Sequence, residues 1–289
     1  MIPPAEDERL RRTMAALEAA MGGAPLARTP GAMKAGVDLG TAYTVLVVLD
    51  AEDNPLAAAY EFADVVRDGV VVDFVGAVDL LRRLKRRVEE RLGTPVLSAH
   101  GAYPPGVPLS EVRAVQHVIE SADMECSGLV DEPTAANAVL RLTDGVVVDV
   151  GGGTTGVAVV QDGVVVHTAD EPTGGTHLTL VIAGALGISF DEAEELKKDP
   201  AEQLRLFPVV RPVMEKVASI VRASTAGWPT PMVYLVGGTA TFPGFADVVA
   251  EYTGLPTVVP VTPLFVTPLG IARSAPVHAG WTELSGVPR

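Results

Sequence analysis

Aromatic side chains make up only 5% of this 289-residue chain, and cysteine occurs once, as Cys126. A single cysteine excludes an internal disulfide or a multi-thiolate metal site, and fits a reducing compartment. Apolar neighbours mark it as a buried structural thiol. The five histidines show no metal-ligand spacing. Basic residues are outnumbered: 22 Lys and Arg stand against 36 Asp and Glu, for a net charge of −14. That balance argues against a nucleic-acid surface, which needs clustered cations. The one basic run, Arg82-Arg83-Leu84-Lys85-Arg86-Arg87, sits on a helical pattern. It reads as a solvated helix face, with a phosphate or partner patch as the alternative. No apolar run is long enough to span a bilayer, and the N-terminus lacks a secretory h-region. The expectation is a soluble cytoplasmic protein with no nucleic acid and no membrane among its partners.

What the chain does have is aliphatic. Val, Ala and Leu dominate a hydrophobic content of 48%, the composition of α/β layers. Residues 6–21 read as a helix, with Leu10, Met14, Leu17 and Met21 on one stripe. Residues 22–36, rich in Gly and Pro, read as a linker. The leading helix is either docked on its own domain or a docking peptide for another protein. From residue 37 two halves follow one plan. The first has strands within 37–62, a turn at Arg67-Asp68-Gly69, helix 76–92, strand 96–99, helix 109–121 with Ser110 as a possible cap, strand 127–130 and helix 133–142. The second has strands 146–149, 156–160 and 164–169, helices 175–186, 190–198 and 211–223, strand 232–236, and helices 244–252 and 267–274. The expected division is 1–36 helix and linker, 37–142 first lobe, 143–275 second lobe and 276–289 tail.

Two segments at matching places in these halves, offset by 111 positions (38 to 149), carry the chemistry: Asp38-Leu39-Gly40-Thr41-Ala42-Tyr43-Thr44 and Asp149-Val150-Gly151-Gly152-Gly153-Thr154-Thr155. Each is a strand, a Gly-rich turn with Asp at its mouth, and a returning strand. Glycine lets backbone N–H groups approach phosphate oxygens, and the threonines add hydroxyl donors. Asp38 and Asp149 suit a hard cation such as Mg²⁺, held mostly through water beside substrate phosphates. One such segment alone would be an ordinary hairpin turn. Two, with a third turn at Val236-Gly237-Gly238-Thr239-Ala240, point to a polyphosphate held between two pseudo-symmetric lobes. Gly174-Gly175-Thr176 opens a helix whose N-terminus favours anions. In Asp131-Glu132-Pro133-Thr134-Ala135-Ala136-Asn137, Glu132 reads as a cleft carboxylate that orients water, or as simple helix-start charge complementarity. Glu194 and Lys197, one turn apart, read as a ribose contact or as an ion pair; Glu215 is a weaker candidate.

The five main segments resemble, in order, the motifs of the actin and heat-shock ATPase superfamily. Asp38–Thr44 and Asp149–Thr155 resemble its two phosphate motifs, Asp131–Asn137 and Thr267–Ala272 its connecting motifs, and Val236–Ala240 its adenosine motif. Ala102-Tyr103-Pro104 and Gly174-Gly175-Thr176-His177-Leu178 resemble the seventy-kilodalton chaperones. Four further stretches are similar to the ethanolamine-utilisation EutJ family: Phe62-Ala63-Asp64-Val65-Val66-Arg67-Asp68-Gly69, Gly151–Gly156, Asp170-Glu171-Pro172-Thr173-Gly174-Gly175 and Arg211-Pro212-Val213-Met214-Glu215-Lys216. That family is encoded with bacterial microcompartments, is regarded as chaperone-like, and carries a leading segment like residues 1–36. The resemblance implies an α/β, actin-like (ribonuclease H-like) fold, two lobes around a nucleotide cleft, and ATP or ADP with Mg²⁺. It implies catalytic Asp38, Glu132 and Asp149, the two aspartates also organising the metal. With the readings above, the nucleotide set is Gly40, Thr41, Ala42, Tyr43, Gly151, Gly152, Gly153, Thr154, Gly174, Gly175, Glu194, Lys197, Gly237, Gly238 and Thr239. Implied partners are ethanolamine ammonia-lyase or other microcompartment enzymes or shell proteins.

Departures qualify this expectation. Residues 64–92 lack the Gly-x-x-Ala-Lys context in which the chaperones carry a phosphate-stabilising Lys, so the outer part of the first lobe reads as reduced. Ala42 stands where a hydroxyl residue is common, and no client-binding β-domain follows residue 275. The leading expectation is an ATP-binding, chaperone-like accessory protein with weak Mg-dependent ATPase activity. The alternative is a nucleotide-bound scaffold with little turnover. A filament-forming protein and a small-molecule kinase are less favoured, for want of an insertion loop and of a separate Asp base.

Overall fold

Valine-rich runs with alternating or double-sided burial build the centres of two five-stranded sheets. The computed structural model describes residues 4–27, 31–62, 64–67 and 69–278. Ala63 and Asp68 of the quoted segments, linker positions 28–30 and the tail from 279 lie outside the described residues. Contacts divide the chain into a C-terminal unit, Arg141–Leu264, and an N-terminal unit that runs to Leu140 and resumes at Phe265.

The N-terminal unit contains α1 (Pro4–Met21), β1 (Met33–Leu39), β2 (Tyr43–Asp50), β3 (Pro55–Phe62), the short hairpin β4 (Val66–Arg67) and β5 (Val70–Val71), α2 (Phe74–Leu92), β6 (Ser98–Tyr103), α3 (Leu109–Ser121), β7 (Glu125–Asp131) and α4 (Glu132–Leu140). The C-terminal unit contains β8 (Gly145–Val150), β9 (Thr155–Gln161), β10 (Val164–Glu171), α5 (Gly175–Leu186), α6 (Phe190–Lys198), α7 (Pro200–Ser224), β11 (Val233–Val236), α8 (Phe245–Thr253) and β12 (Thr257–Val258). Helix α9 (Val266–Ser274), grouped with the second half in the sequence reading, lies in the N-terminal unit.

The sheets share one topology. The first runs β3-β2-β1-β6-β7 and the second β10-β9-β8-β11-β12. In each, the first three strands form an antiparallel meander, and the last two join the first strand in parallel. Parallel joins require crossovers, which the helices supply. Helices α2 and α3 cover one face of the first sheet through Leu80, Leu81, Leu84, Val88 and Ile119; α5, α7 and α8 cover the second through Leu178, Ile182, Met214 and Phe245.

Helix α9 is wedged tightly into the N-terminal unit. A Cβ added at Gly270 would lie 1.8 Å from the Ala135 carbonyl oxygen, and one at Gly36 would lie 2.3 Å from the Ala272 nitrogen. Small residues on three elements therefore permit backbone contact on both sides of α9.

Helix α1 packs on its own unit. Leu10, Met14, Leu17 and Ala20 are buried, with β3 as neighbour. Arg9 donates to the Val139 carbonyl at the end of α4 (3.0 Å), a favourable place for a cation. The segment after α1 is tied down by Arg91, whose guanidinium reaches the carbonyls of Ala24 and Leu56 and whose own carbonyl accepts from Leu26 N–H. The cis reading of the leading helix holds in this structure. The basic run on α2 is likewise engaged: Arg83 with Glu61 (2.7 Å), Arg82 with the Ser121 carbonyl, Lys85 with the Asp123 carbonyl.

Several boundaries differ from expectation. β1 begins at Met33, inside the expected linker. Helix α2 begins at Phe74 rather than at 76, capped by the side chain of Asp73. Ser110 makes no cap; Pro108 holds that position, in extended backbone and with no side-chain cap bond. Helix α7 begins at Pro200 and continues through Pro208 and Pro212, where burial of Leu206, Val210 and Val213 outweighs the lost backbone bonds.

Candidate functional site

The two acidic hairpins have the same geometry, residue for residue. Asp38 pairs with Val45 and Asp149 with Gly156, each seven positions on. In the first turn Gly40 N–H donates to the Tyr43 carbonyl (3.1 Å); in the second Gly151 N–H donates to the Thr154 carbonyl (3.0 Å). Each turn lies at the carboxyl end of a strand with a parallel neighbour, where open α/β sheets present ligand sites. Among the described residues, no backbone carbonyl accepts from the N–H groups of Thr41 or Ala42, nor from those of Gly152, Gly153 or Thr154.

The second loop is clamped from several sides. Gly175 N–H donates to the Gly151 carbonyl (2.9 Å) and Thr176 N–H to the Gly152 carbonyl (2.8 Å). The Thr239 hydroxyl donates to the Gly151 carbonyl (2.7 Å), and the Thr155 hydroxyl to the Thr173 carbonyl (2.6 Å). So the first amides of α5 hold the loop rather than stand open to an anion. Gly174 N–H is taken by His177 Nδ1 (3.2 Å), which closes the cap.

Glycine is required at Gly237. Its φ is +87°, and an added Cβ would meet Asp149 Oδ1 and the Val150 carbonyl oxygen, both at 2.4 Å. β11 and β8 are parallel, with Val236 beside Asp149, so the third turn backs directly onto the nearly buried aspartate. Gly238 and Thr239 continue into a short 3₁₀ turn.

Beneath α5 lies an ion-pair network. Lys197 Nζ donates to Glu194 Oε2 (2.6 Å), Thr179 Oγ1 (2.9 Å) and the Gly175 carbonyl (3.2 Å). These three bonds use all its donors. Thr179 also donates to Glu194 Oε2 (2.5 Å), and Lys198 lies 3.3 Å from Oε1. Burial pushes the Glu194 carboxyl up, but the Lys197 ammonium, the hydrogen bonds and Lys198 together outweigh it and hold its pKa below the usual range. Burial drives the Lys197 ammonium down despite Glu194. Glu215 instead pairs with Arg211 (2.8 Å) on the outside of α7.

In the N-terminal unit, Glu132 is half-buried at the first position of α4. Asp131 before it accepts from Thr134 N–H (3.0 Å) and caps the helix. Tyr43 packs edge-on against Tyr60 (5.8 Å) and Phe62 (5.6 Å), and Tyr60 against Phe265 (5.3 Å).

Of the residues singled out from sequence, Asp38, Gly40, Thr41, Ala42, Tyr43 and Glu132 thus belong to the N-terminal unit. Asp149, Gly151–Thr154, Gly174, Gly175, Glu194, Lys197 and Gly237–Thr239 form one bonded or touching cluster in the C-terminal unit. Sequence reasoning missed Thr179 and the aromatic cluster, and it read the Thr155 hydroxyl as a phosphate donor where that hydroxyl is given to the Thr173 carbonyl. Asp131 carried a readable signal, an Asp at a strand-to-helix junction; Thr179 carried none. Among the described residues no three His, Cys, Asp or Glu side chains gather as a metal cage. Each hairpin sets one carboxylate, Asp38 or Asp149, beside tip amides from which no backbone carbonyl accepts among the described residues, a donor type that suits a cation keeping its waters.

Comparison with known proteins agrees with this architecture. The family description "MreB/Mbl protein" matches residues 60–199, and "Cell division protein FtsA" matches residues 146–272. The ethanolamine utilization protein EutJ of Escherichia coli K12 is 42% identical over 86% of this chain and 89% of its own. The crystal structure of EutJ from Carboxydothermus hydrogenoformans is 46% identical, with a TM-score of 0.86 over 92% of this chain and 98% of its own. MreB5 of Spiroplasma citri, solved bound to AMPPNP, is 18% identical, with a TM-score of 0.67 over 85% of this chain and 95% of its own. The shared fold is that of the actin-like ATPases.

Proposed function

The chain belongs to the EutJ family of ethanolamine-utilisation proteins, and from that premise we propose that it binds ATP with Mg²⁺ and hydrolyses it as a chaperone-like accessory protein. The observation that carries this reading is the clamped Gly151–Thr154 loop. Its tip amides are left without backbone acceptors while its carbonyls are pinned by α5 and Thr239. A loop fixed from behind, with no backbone carbonyl on its tip amides, is pre-organised for phosphate oxygens. The equivalent amides of Thr41 and Ala42 are proposed to engage the same polyphosphate.

Bound Mg²⁺ supplies charge neutralisation at the phosphate oxygens. Asp38 and Asp149 would hold its water shell, each from the end of its strand. Glu132 orients the attacking water and accepts its proton, its place fixed by the Asp131 cap. Gly237, Gly238 and Thr239 flank the adenosine, with Gly174 and Gly175 alongside. Glu194 meets the ribose through Oε1, the oxygen not bonded to Lys197, while Lys197 holds that carboxylate in place. The proposed partners are ethanolamine ammonia-lyase or another enzyme or shell protein of a microcompartment, in a cytoplasmic setting.

One observation favours the second reading, a nucleotide-bound scaffold with little turnover. Residues 63–73, between β3 and α2, contain no lysine, and Arg67 there is paired with Asp64 (2.8 Å). No added cation from this segment is offered to a transferring phosphate. Steady-state turnover and Mg-ATP titration of the wild type, Asp149→Ala and Glu132→Ala separate the two. We expect Asp149→Ala to lose binding and Glu132→Ala to keep binding but lose at least tenfold in turnover, a modest share of general-base catalysis. Tight binding without turnover in the wild type selects the scaffold, and no binding by any of the three overturns both.

A further inference from the structure

Helix α5 keeps one side on the second sheet through Leu178 and Ile182. Its other side departs from the usual surface helix. Among the described helices α5 alone has no Asp, Glu, Lys or Arg, where solvent-facing helix positions are ordinarily polar or charged. Leu180 is 52% exposed there, and Gly184, one turn on, is exposed as well. Positions i and i+4 lie one above the other on a helix, so a protruding leucine stands beside a notch.

The notch has no cause within its own chain. Gly184 has ordinary helical backbone, outside the left-handed region, and a Cβ added to it would meet nothing within 4 Å. Alanine would fit, and glycine weakens the helix relative to it. The glycines at the two ends of α5 differ. A Cβ on Gly175 would meet Thr239 Oγ1 at 2.5 Å, and Gly187 takes φ +67° as the C-cap. What bare backbone gives at an exposed helix position is room for close approach by another helix.

We propose that α5 is the contact between two copies of this chain, packed antiparallel about a twofold axis that passes between Leu180 and Gly184. A twofold interface sets residue i on j and j on i. A leucine one turn from a notch meets that condition, with Leu180 seated over Gly184 of the partner subunit and the reverse. Charge selects the same face. Each copy carries a net charge of −14, so two copies repel wherever their acidic surfaces meet. Along α5 neither sets a formal charge against the other. One pair of helices is a small contact, so the dimer is a weak one. Its symmetry closes it at two copies, whereas a head-to-tail contact would propagate.

Sedimentation velocity of the full chain over a series of concentrations tests this without nucleotide, so it fails or succeeds apart from ATP binding. We expect monomer and dimer only, with tighter association at high salt, which screens the repulsion between copies. Leu180→Lys should abolish the dimer and leave the thermal midpoint of the dilute protein unchanged, since that side chain already faces solvent. Gly184→Ala should move the two readouts in opposite directions. It raises the dilute midpoint by about 2 °C through helix propensity, and it weakens dimerisation about tenfold by filling the notch. A wild type that stays monomeric, a series that grows beyond two copies, association that salt dissolves, or equal dimerisation by wild type and Gly184→Ala each overturns the proposal.

Discussion

The two units share a strand order and a hairpin geometry, yet they are finished differently at the same places. The edge strand β3 carries α1 on its face, and Ala57, Ala58 and Ala59 are buried on both sides. Among the described residues its counterpart β10 has no such cover: Val164 is 62% and Val166 40% exposed. The hairpin loop of the C-terminal unit is bonded to α5 and Thr239, whereas that of the N-terminal unit leans on Tyr60 and Phe62 through Tyr43. The N-terminal unit also takes in α9, a helix made after the C-terminal unit is complete. The repeat places the acidic turn, and the later packing decides how firmly each turn is held.

The largest effect should come from breaking the α9 wedge. Gly270→Leu places side-chain atoms where the Ala135 backbone already lies, and no rotamer escapes that. We expect loss of more than about 3 kcal/mol and of a single cooperative transition in thermal unfolding. The C-terminal unit, to which α9 does not belong, should keep native far-UV structure longest. Next is the cover on β3. Leu17 is fully buried on α1, so Leu17→Ala should cost about 3 kcal/mol in denaturant unfolding. A cost near zero would return α1 to the role of a free docking helix.

Much of this was legible in the chain. Both acidic hairpins, the glycine turn at 237–238 and the helix at Glu132 stand at the expected residues, because glycine and the preceding valine runs are local signals. What was not legible depends on distant partners. The helix expected at 211–223 starts at Pro200 instead and runs through Pro208 and Pro212, since Leu206, Val210 and Val213 bury against the second sheet. Nothing around Gly270 says that it touches Ala135 across 135 positions of sequence. Thr179 looks like any helix threonine until α6 brings Glu194 and Lys197 against it. β12 has only two residues and leaves no periodic pattern.

The firmness of the second loop can be tested through that network. Lys197→Met leaves Glu194 buried with Lys198 as its remaining cation, a change expected to cost about 2 kcal/mol, below the full loss of a buried pair because one partner remains. The pH dependence has a definite sign. The Glu194 carboxyl is held below its ordinary value of 4.5 in the folded protein. Its contribution is therefore complete above pH 4.5 and is lost as pH falls through the lower, folded value. Stability of Glu194→Gln minus that of wild type should accordingly narrow as pH falls below 4.5. In Lys197→Met, burial loses its main opponent, so the acid-sensitive window should move upward. A difference between variants that stays flat through this range would detach Glu194 from the stability of the loop.

The smallest effect is expected where the comparison began, at the uncovered edge. Val166 sits at the irregularity in the β9–β10 pairing, between Val165 and His167, and a bulge there twists the edge away from further pairing. Val166→Lys adds a charge to a position already facing solvent, so stability should change by less than about 0.5 kcal/mol. Ala58→Lys, on the strand that α1 covers, forces an ammonium under a helix and should cost several times more. If Val166→Lys proves as damaging as Ala58→Lys, β10 is covered in solution by something that α1 supplies only to β3. A second copy of the chain would then show itself as a concentration-dependent sedimentation coefficient that the lysine abolishes.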